Sequence, residues 1–274
     1  MSLFTCPICA APLVREGNTY RCPNRHSYDV AREGYVHLLP ANKKHSANPG
    51  DDRDMAAART RFLDGGWYAP LRDALCRLAE EHTGPAPAVL DAGCGEGYYT
   101  AGIFEHLKNA KDLVSLAGVD LSKSALKKAA RRTPEGEFAV ASVYHLPAAD
   151  GTADLLVDCF APLALEEYRR VLKSGGVFLY VVPAPRHLLE LKAVLYDAPY
   201  ENPDESPEYG GFTRLGVTEV ETKMDLPAPA LMDLFRMTPY VWKTPREGVA
   251  RLEALSSLTV TAAFHIHAYR RTDA

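Results

Sequence analysis

Between residues 88 and 183, short apolar segments alternate with segments of helical periodicity. The apolar segments are AVLDAG, VSLAGVDLS, EFAVASV, ADLLVDCF and GGVFLYVVP, and intervening segments such as KSALKKAARR have a helical pattern. Strands separated by helices imply right-handed crossovers and a parallel sheet that is covered on both faces. The sequence therefore predicts a doubly wound α/β fold. Two later segments, 212–222 and 258–270, are expected to pair antiparallel at the edge of this sheet.

The first predicted strand runs into a glycine-rich loop, LDAGCGEGYY, which contains Gly93, Gly95 and Gly97. Glycines between a strand and a helix let a ligand approach the backbone and the unpaired N–H groups of the helix start. The spacing is not G-x-G-x-x-G, and Asp91 would repel a dinucleotide pyrophosphate but suits a cationic group. Asp120 ends the second strand, where an acid accepts both hydroxyls of a ribose. These features favour S-adenosylmethionine as cofactor over a merely structural turn.

A cluster of cysteine and histidine near the start of the chain follows the pattern C-x2-C-x12-C-x3-H. Cys6 and Cys9 form one pair, and Cys22 with His26 forms the other. Two such short spacings are typical of a closed, tetrahedral, structural Zn²⁺ site. The alternative is a redox pair at Cys6 and Cys9, which no preceding βαβ pattern supports. The remaining cysteines are scattered and are interpreted as small apolar residues.

The composition suggests one large domain with an appendage, since the 274 residues are 47% apolar. We predict a zinc-binding RNA-recognition module in 1–40, a linker (about 41–54) and helical segment in 41–84, and a methyltransferase domain in 85–274. The net charge of −4 argues against a general nucleic-acid coat protein. Residues 1–48 carry six basic and three acidic side chains, so this end is the better candidate for phosphate contact. The absence of a signal pattern and of long apolar runs predicts a cytoplasmic protein without a membrane partner.

Several blocks of the sequence, in their order, resemble the RlmA family of bacterial 23S rRNA (guanine-N1)-methyltransferases. Besides the zinc pattern, these blocks are YDVAREGYVHLLP, DGGWYAPLRDAL, LDAGCGEGYYT, FAP, PAPRHLLELK and MTPYVW. The resemblance runs essentially end to end and implies a class I methyltransferase, Rossmann-like fold that methylates a guanosine in a hairpin loop of 23S rRNA. It also implies cofactor contacts at Tyr68, Gly95, Glu96 and His187. The expected partner is this rRNA hairpin, not DNA; a homodimer and the identity of the guanosine are left open.

The expected chemistry requires an unpaired guanine, because N1 lies on the Watson–Crick edge and carries a proton at neutral pH. Phe160 follows the fourth predicted strand, where open α/β sheets bind ligands, and we expect it to border the target base. The alternative is a core phenylalanine. The sequence does not identify a general base. His187 is a candidate unless it is a cofactor contact or a helix cap, and Asp158 is a candidate unless it is a surface acid.

Other residues have plainer interpretations. His265 and His267 alternate along the predicted edge strand and so share one face, but no cysteine pair accompanies them and a metal site is not expected. Tyr240 and Trp242 are expected to pack against the rest of the chain.

Two other functions are compatible with parts of the sequence. A class I methyltransferase acting on a small molecule such as a quinone precursor would share the glycine loop but would not ordinarily have a zinc module. A non-catalytic, zinc-dependent RNA-binding protein would have the module but would not need Asp91, Gly93, Gly95 and Asp120.

Overall fold

A computed structural model describes residues 2–40, 53–204 and 207–272. The predicted linker lies outside the described residues, except for its last two positions. The strands are β1 (Val14–Glu16), β2 (Thr19–Arg21), β3 (Ser27–Asp29), β4 (Tyr35–His37), β5 (Ala88–Ala92), β6 (Ser115–Asp120), β7 (Glu137–Val140), β8 (Ala153–Cys159), β9 (Leu172–Pro183), β10 (Phe212–Pro227) and β11 (Ser257–Arg271). The helices are α1 (Arg53–Asp64), α2 (Ala69–Glu81), α3 (Tyr98–Ala110), α4 (Lys123–Arg132), α5 (Leu165–Val171), α6 (Leu189–Leu195), α7 (Ala228–Met237) and α8 (Arg246–Glu253). None of these described helices is both long and apolar enough to cross a membrane.

The main sheet has eight strands in the order β10-β11-β9-β8-β5-β6-β7-β4. Strands β4 to β9 pair in parallel, which confirms the predicted mostly parallel, doubly wound sheet. The predicted antiparallel pairing of the last two strands is also confirmed. However, β11 lies between β10 and β9 and is therefore not the edge strand that the sequence suggested. The strand order reverses between β5 and β8, and at such a point the carboxyl ends of the strands open a crevice for ligands.

Both faces of the sheet are covered, because the parallel strands are apolar on both sides. Along β5, Val89 joins the hydrophobic cluster on one face and Leu90 joins the cluster on the other face. The first cluster contains residues of α1 to α4 and of α6 to α8, among them Leu75 and Leu107. The second contains residues of α5 and of the N-terminal segment, such as Phe4. The sheet thus separates a helical layer from a layer built largely by the start of the chain.

The N-terminal segment contributes to two sheets. Strands β1, β2 and β3 form a small antiparallel sheet, whereas β4 pairs in parallel with β7 of the main sheet. The carboxylate of Glu137, at the start of β7, accepts a hydrogen bond from the Tyr20 hydroxyl at 2.8 Å and another from the Leu3 backbone N–H at 2.9 Å. The small sheet is therefore bonded directly to the large one. The domain boundary at residue 40 stays a prediction. Strand β4 lies on the N-terminal side of this boundary but belongs to the large sheet.

The short 3-10 helix Pro239–Trp242 follows α7. Tyr240 packs against the first hydrophobic cluster, as predicted. Trp242 does not pack: 70% of its surface is exposed, which corrects the prediction for this residue.

Replacing Glu137 by alanine should lower the free energy of unfolding by about 1–3 kcal/mol, because two partly buried donors would lose their acceptor. Urea unfolding measures this change. Glu135→Ala is the matched control, since it removes an exposed partner of Lys108 and should change stability little. Equal effects of the two substitutions would contradict a docking role for Glu137.

Candidate active site and metal centre

The loop from Gly93 to Gly97 is shaped by three glycines with positive φ, at +86° for Gly93, +53° for Gly95 and +77° for Gly97. A Cβ on Gly93 would lie 2.4 Å from the Cβ of Ala161, and one on Gly97 would lie 2.8 Å from the Cα of Ala129. These two glycines let the loop pack closely against its neighbours. A Cβ on Gly95 would meet nothing within 4 Å, so the backbone here faces open space that a ligand can occupy.

Asp91, at the end of β5, is only 2% exposed. Its Oδ2 accepts a hydrogen bond from the Thr100 hydroxyl, while its Oδ1 is buried and has no partner among the described residues. Burial raises the pKa of this carboxyl group to about 7. A buried carboxylate oxygen without a donor is costly unless a ligand supplies one. This atom therefore fits the cationic part of S-adenosylmethionine, as predicted from the sequence.

Asp120 ends β6, the strand next to β5. One carboxylate oxygen accepts the Gly95 N–H at 3.0 Å and the other accepts the Ser122 N–H at 2.7 Å. These bonds fix the carboxylate beside the glycine loop, and a carboxylate oxygen can accept more than one hydrogen bond. The donor set fits the ribose of the predicted cofactor.

An aromatic wall lies on the helical side of this edge, and Phe264 of β11 connects its members. The Phe264 ring centroid is 5.0 Å from that of Tyr68, 4.6 Å from His187 and 5.6 Å from Phe160. The Phe160 ring is in turn 6.4 Å from Tyr99. The structure thus brings together three residues predicted from the sequence. It adds Tyr99 and Phe264, which sequence reasoning missed, although the alternation in FHIHAY separates Phe264 from the face shared by His265 and His267.

Phe160 has a positive φ of +65° and is 47% exposed, although it is a bulky apolar residue. A phenylalanine rarely adopts this backbone conformation, which is strained. The exposure excludes the alternative of an ordinary core residue. Residues held in such a conformation cluster at functional sites, in agreement with the expectation that Phe160 borders a substrate.

Asp158 is fully buried, which corrects the alternative of a surface acid. Its carboxylate accepts the Ala161 N–H at 3.0 Å and the Tyr168 hydroxyl at 2.7 Å. Burial raises its pKa to about 7. These contacts place Asp158 beneath the turn that presents Phe160, where it holds the turn in shape.

His187 is also buried, and its Nδ1 accepts the Ala263 N–H at 3.2 Å. Burial lowers the pKa of the imidazole to about 3. The neutral ring therefore carries its proton on Nε2 and can donate there, but it cannot accept a proton at that atom. The Nδ1 contact is to β11 and not to the start of α6, so it does not make His187 a helix cap.

Glu96 is 5% exposed, and its carboxylate contacts α1 and α4. It accepts hydrogen bonds from the Thr60 hydroxyl and, at 2.7 Å, from Arg132, and lies 3.6 Å from the Lys128 ammonium. These contacts tie the glycine loop to two helices. A direct contact of Glu96 with the cofactor stays a prediction.

The four predicted metal ligands lie together, with all their donor atoms within 4.8 Å of one another. The Cys9 and Cys22 sulfurs are 3.7 Å apart, and His26 Nδ1 is 3.5 Å from the Cys6 sulfur and 3.4 Å from the Cys22 sulfur. Tetrahedral Zn²⁺ with Zn–S bonds of about 2.3 Å requires sulfurs about 3.8 Å apart. The Cys9–Cys22 spacing fits this geometry, and all of these cysteines are free thiols, not disulfides.

The surroundings of the sulfurs also suit a metal. Hydrogen bonding, chiefly from the Asn24 side chain, lowers the pKa of Cys9 to about 6 and so favours the thiolate that binds metal. The Tyr28 hydroxyl lies 3.0 Å from the Cys6 sulfur and can support it from outside the ligand set.

Comparison with known proteins matches residues 4–47 to the family described as "RlmA, N-terminal" and residues 89–176 to the family described as "Methyltransferase domain". The 23S rRNA (guanine(748)-N(1))-methyltransferase of Streptomyces fradiae is 36% identical over 95% of this chain and 95% of its own length. The malonyl-[acyl-carrier protein] O-methyltransferase of Hamiltonella defensa is 34% identical, but over only 45% of this chain.

Among solved structures, the YcgJ protein of Bacillus subtilis is similar to this chain with a TM-score of 0.50 and 14% identity. The likeness covers 74% of this chain and 99% of that protein. At this identity it supports the fold alone. Together with the methyltransferase match, it confirms the predicted class I methyltransferase fold.

The affinity for S-adenosylhomocysteine should rise about tenfold between about pH 5.5 and about pH 7, because Asp91, with a pKa of about 7, must ionise to pair with the ligand's cationic group. Calorimetry at several pH values measures this. Thr100→Val removes a hydrogen bond that lowers the pKa and should shift the rise to higher pH. Asp91→Asn should weaken binding and abolish the rise; a persistent rise would assign the titration to another group.

Replacing Cys22 by alanine should remove bound zinc, because three ligands no longer close the tetrahedral site. Elemental analysis should find one zinc per chain in the parent protein and little in the variant. Hydrogen exchange should also show faster exchange in the N-terminal segment, since metal binding stabilises such short elements. Cys76→Ala, which removes a buried thiol of α2, is the control and should keep its zinc. Full zinc content in Cys22→Ala would contradict the assignment.

Proposed function

The chain belongs to the RlmA family of 23S rRNA (guanine-N1)-methyltransferases, and we propose that it methylates N1 of a guanosine in a hairpin loop of 23S rRNA. The observation that carries the proposal is the near full-length match to the Streptomyces fradiae enzyme, which spans both the zinc module and the crevice. Both sites are present in this chain with the donor atoms that their ligands need.

S-adenosylmethionine supplies the activated methyl group, and the residues at the carboxyl edge of the sheet would hold it. Asp91 would pair with its cationic part, the open backbone at Gly95 would lie against it, and Asp120 would accept ribose hydroxyls. Tyr68 and neutral His187 lie in the aromatic wall beside this position. Fixing the donor in this way turns a bimolecular reaction into an oriented one.

The target guanine must leave any base pair so that N1 can reach the methyl group. We propose that the exposed ring of Phe160 stacks on this base, since an aromatic face suits an unpaired nucleobase. Asp158 would act as a positioning residue that holds the turn, because both of its oxygens already accept hydrogen bonds. We assign neither Asp158 nor His187 the removal of the N1 proton.

The zinc module, residues 1–40, would bind the RNA backbone. Arg15, Arg21 and Arg25 are exposed on it, and basic side chains on one module are the electrostatic footprint of phosphate contact. This arrangement fits an RNA stem held by its backbone and a loop read at the crevice. Action on rRNA also places the proposed activity in the cytoplasm. A homodimer is compatible with the proposal and is not needed for it.

The small-molecule alternative accounts for less of the chain. The likeness to the malonyl-[acyl-carrier protein] O-methyltransferase covers 45% of the residues and so leaves more than half of the chain without a counterpart. The non-catalytic alternative predicts no S-adenosylmethionine binding, which calorimetry tests directly.

Ribosomal RNA from a strain that lacks the gene tests whether 23S rRNA is the substrate. A methyl group on guanine N1 blocks base pairing, so reverse transcription stops beside it. We expect one stop in 23S rRNA to disappear in the deletion strain and to return when the gene is restored. Persistence of every stop would exclude the proposed substrate.

Replacing Phe160 by alanine should lower kcat/KM for methylation of a hairpin RNA by about tenfold or more, because stacking on one base contributes about 1–3 kcal/mol. The affinity for S-adenosylmethionine should change less than about twofold, since Phe160 faces the base side of the crevice. Leu113→Ala is the control: Leu113 is 66% exposed and precedes β6, away from the carboxyl edge. Unchanged methylation by Phe160→Ala would remove this residue from the site.

A further inference from the structure

A cavity of about 240 Å³ lies on the sheet face opposite the aromatic wall. Successive residues of a strand point to opposite faces, so Phe264 joins the wall while His265 and His267 line this cavity. Tyr180 of β9 and Tyr209 also line it. None of the functions assigned above uses these side chains.

His267 is the unusual residue of the cavity. It is 1% exposed, and neither of its ring nitrogens has a hydrogen-bond partner among the described residues. Burial lowers its pKa, so the ring is neutral and offers one donor and one acceptor. Leaving both groups unsatisfied in a buried position is costly. The two nitrogens point to different sides of the ring, so the cavity calls for an occupant that forms a hydrogen bond with at least one of them.

The remaining walls define the occupant further. The Tyr180 ring is 6.3 Å from that of His267 and inclined by 37°, which gives the cavity flat aromatic sides. The amide of Asn202 is already engaged, because it donates to the Ala184 carbonyl and accepts from Lys192. No lysine or arginine is among the described residues that line the cavity, so an anion such as phosphate has no cationic partner there. An uncharged, planar heterocycle fits best.

Val182 and Pro183, the last residues of β9, line the cavity, which therefore lies at the carboxyl edge of the parallel strands, as the proposed site of methyl transfer does. The sheet register places Asp158, Tyr180 and His267 side by side on β8, β9 and β11. Asp158 holds the turn that presents Phe160. The cavity and the turn that presents Phe160 are thus connected through neighbouring residues of adjacent strands.

We propose that this cavity accepts a second unpaired base of the substrate RNA, from a nucleotide neighbouring the target guanosine. One ring nitrogen of His267 forms a hydrogen bond with the edge of that base. Single-stranded loops present such splayed bases to proteins, and a second base pocket would set the register of the target. This inference rests on the proposed function.

Hairpin RNAs with one abasic nucleotide at each loop position in turn test the proposal. For the parent enzyme, an abasic site at one position other than the target should raise KM about tenfold. His267→Phe keeps an aromatic ring but removes both ring nitrogens, and should raise KM for intact RNA to a similar extent, with kcat little changed. The same abasic site should then raise the KM of the variant very little, because the substitution and the abasic site remove the same contact. His106→Phe, on α3 and away from the cavity, is the control and should behave like the parent.

Equal abasic penalties in the parent and in His267→Phe would overturn the proposal. A separate measurement uses the unmodified protein: the ¹⁵N signals of the His267 ring should shift when hairpin RNA is added and should keep their positions when an RNA with the critical abasic site is added instead. Unchanged signals with intact RNA would also overturn it, leaving only water in the cavity. Failure of the proposed function is distinguishable, because the parent enzyme would then methylate none of the hairpins.

Discussion

The close approach of the loop 93–97 to the turn after β8 is the contact on which the site depends. A single methyl group on Gly93 would meet Ala161 at 2.4 Å, so the two segments touch only because a glycine stands there. Protein interiors are close-packed and transmit such a displacement to their neighbours. The loop lies against the cofactor position and the turn presents Phe160. In the proposed function, their contact would fix the distance between methyl donor and acceptor, on which the rate of an oriented transfer depends.

Three buried acids near this contact have different environments and hence different roles. Glu96 forms ion pairs with Arg132 and Lys128 and so connects the glycine loop to the neighbouring helices. Asp158 is satisfied by two neutral donors and shapes the turn. Only Asp91 has an oxygen without a partner in the described chain, and burial has already raised its pKa to about 7. Burying this oxygen without a hydrogen-bond donor is unfavourable, and a cationic ligand would remove that penalty. Of the three acids, Asp91 is therefore the one that ligand binding would stabilise.

The sequence predicted the features that depend on local spacing. Metal ligands on two short turns and glycines between a strand and a helix have their geometry set by neighbours in the chain, so Cys6, Cys9, Cys22, His26 and the loop could be identified. Features that depend on strand register could not. Phe264 and His267 acquire their roles because β11 pairs with β9 in one particular alignment. Strand β4 has three residues, too few for a periodic signal, and joins the main sheet only through β7.

The attachment of the zinc module bears on how RNA binding can serve catalysis. Besides the β4–β7 pairing, the Thr5 N–H donates to the Pro147 carbonyl at 2.7 Å, and Lys127 of α4 pairs with Glu33 at 2.8 Å. These contacts reach β7, which is the neighbour of β6 in the sheet, and α4, the helix that follows Asp120. A stem bound by a loosely tethered module would only raise the local concentration of RNA. In the proposed function, a stem bound by a module that is bonded to the sheet would also orient the loop, so that binding energy far from N1 would help to align the target base.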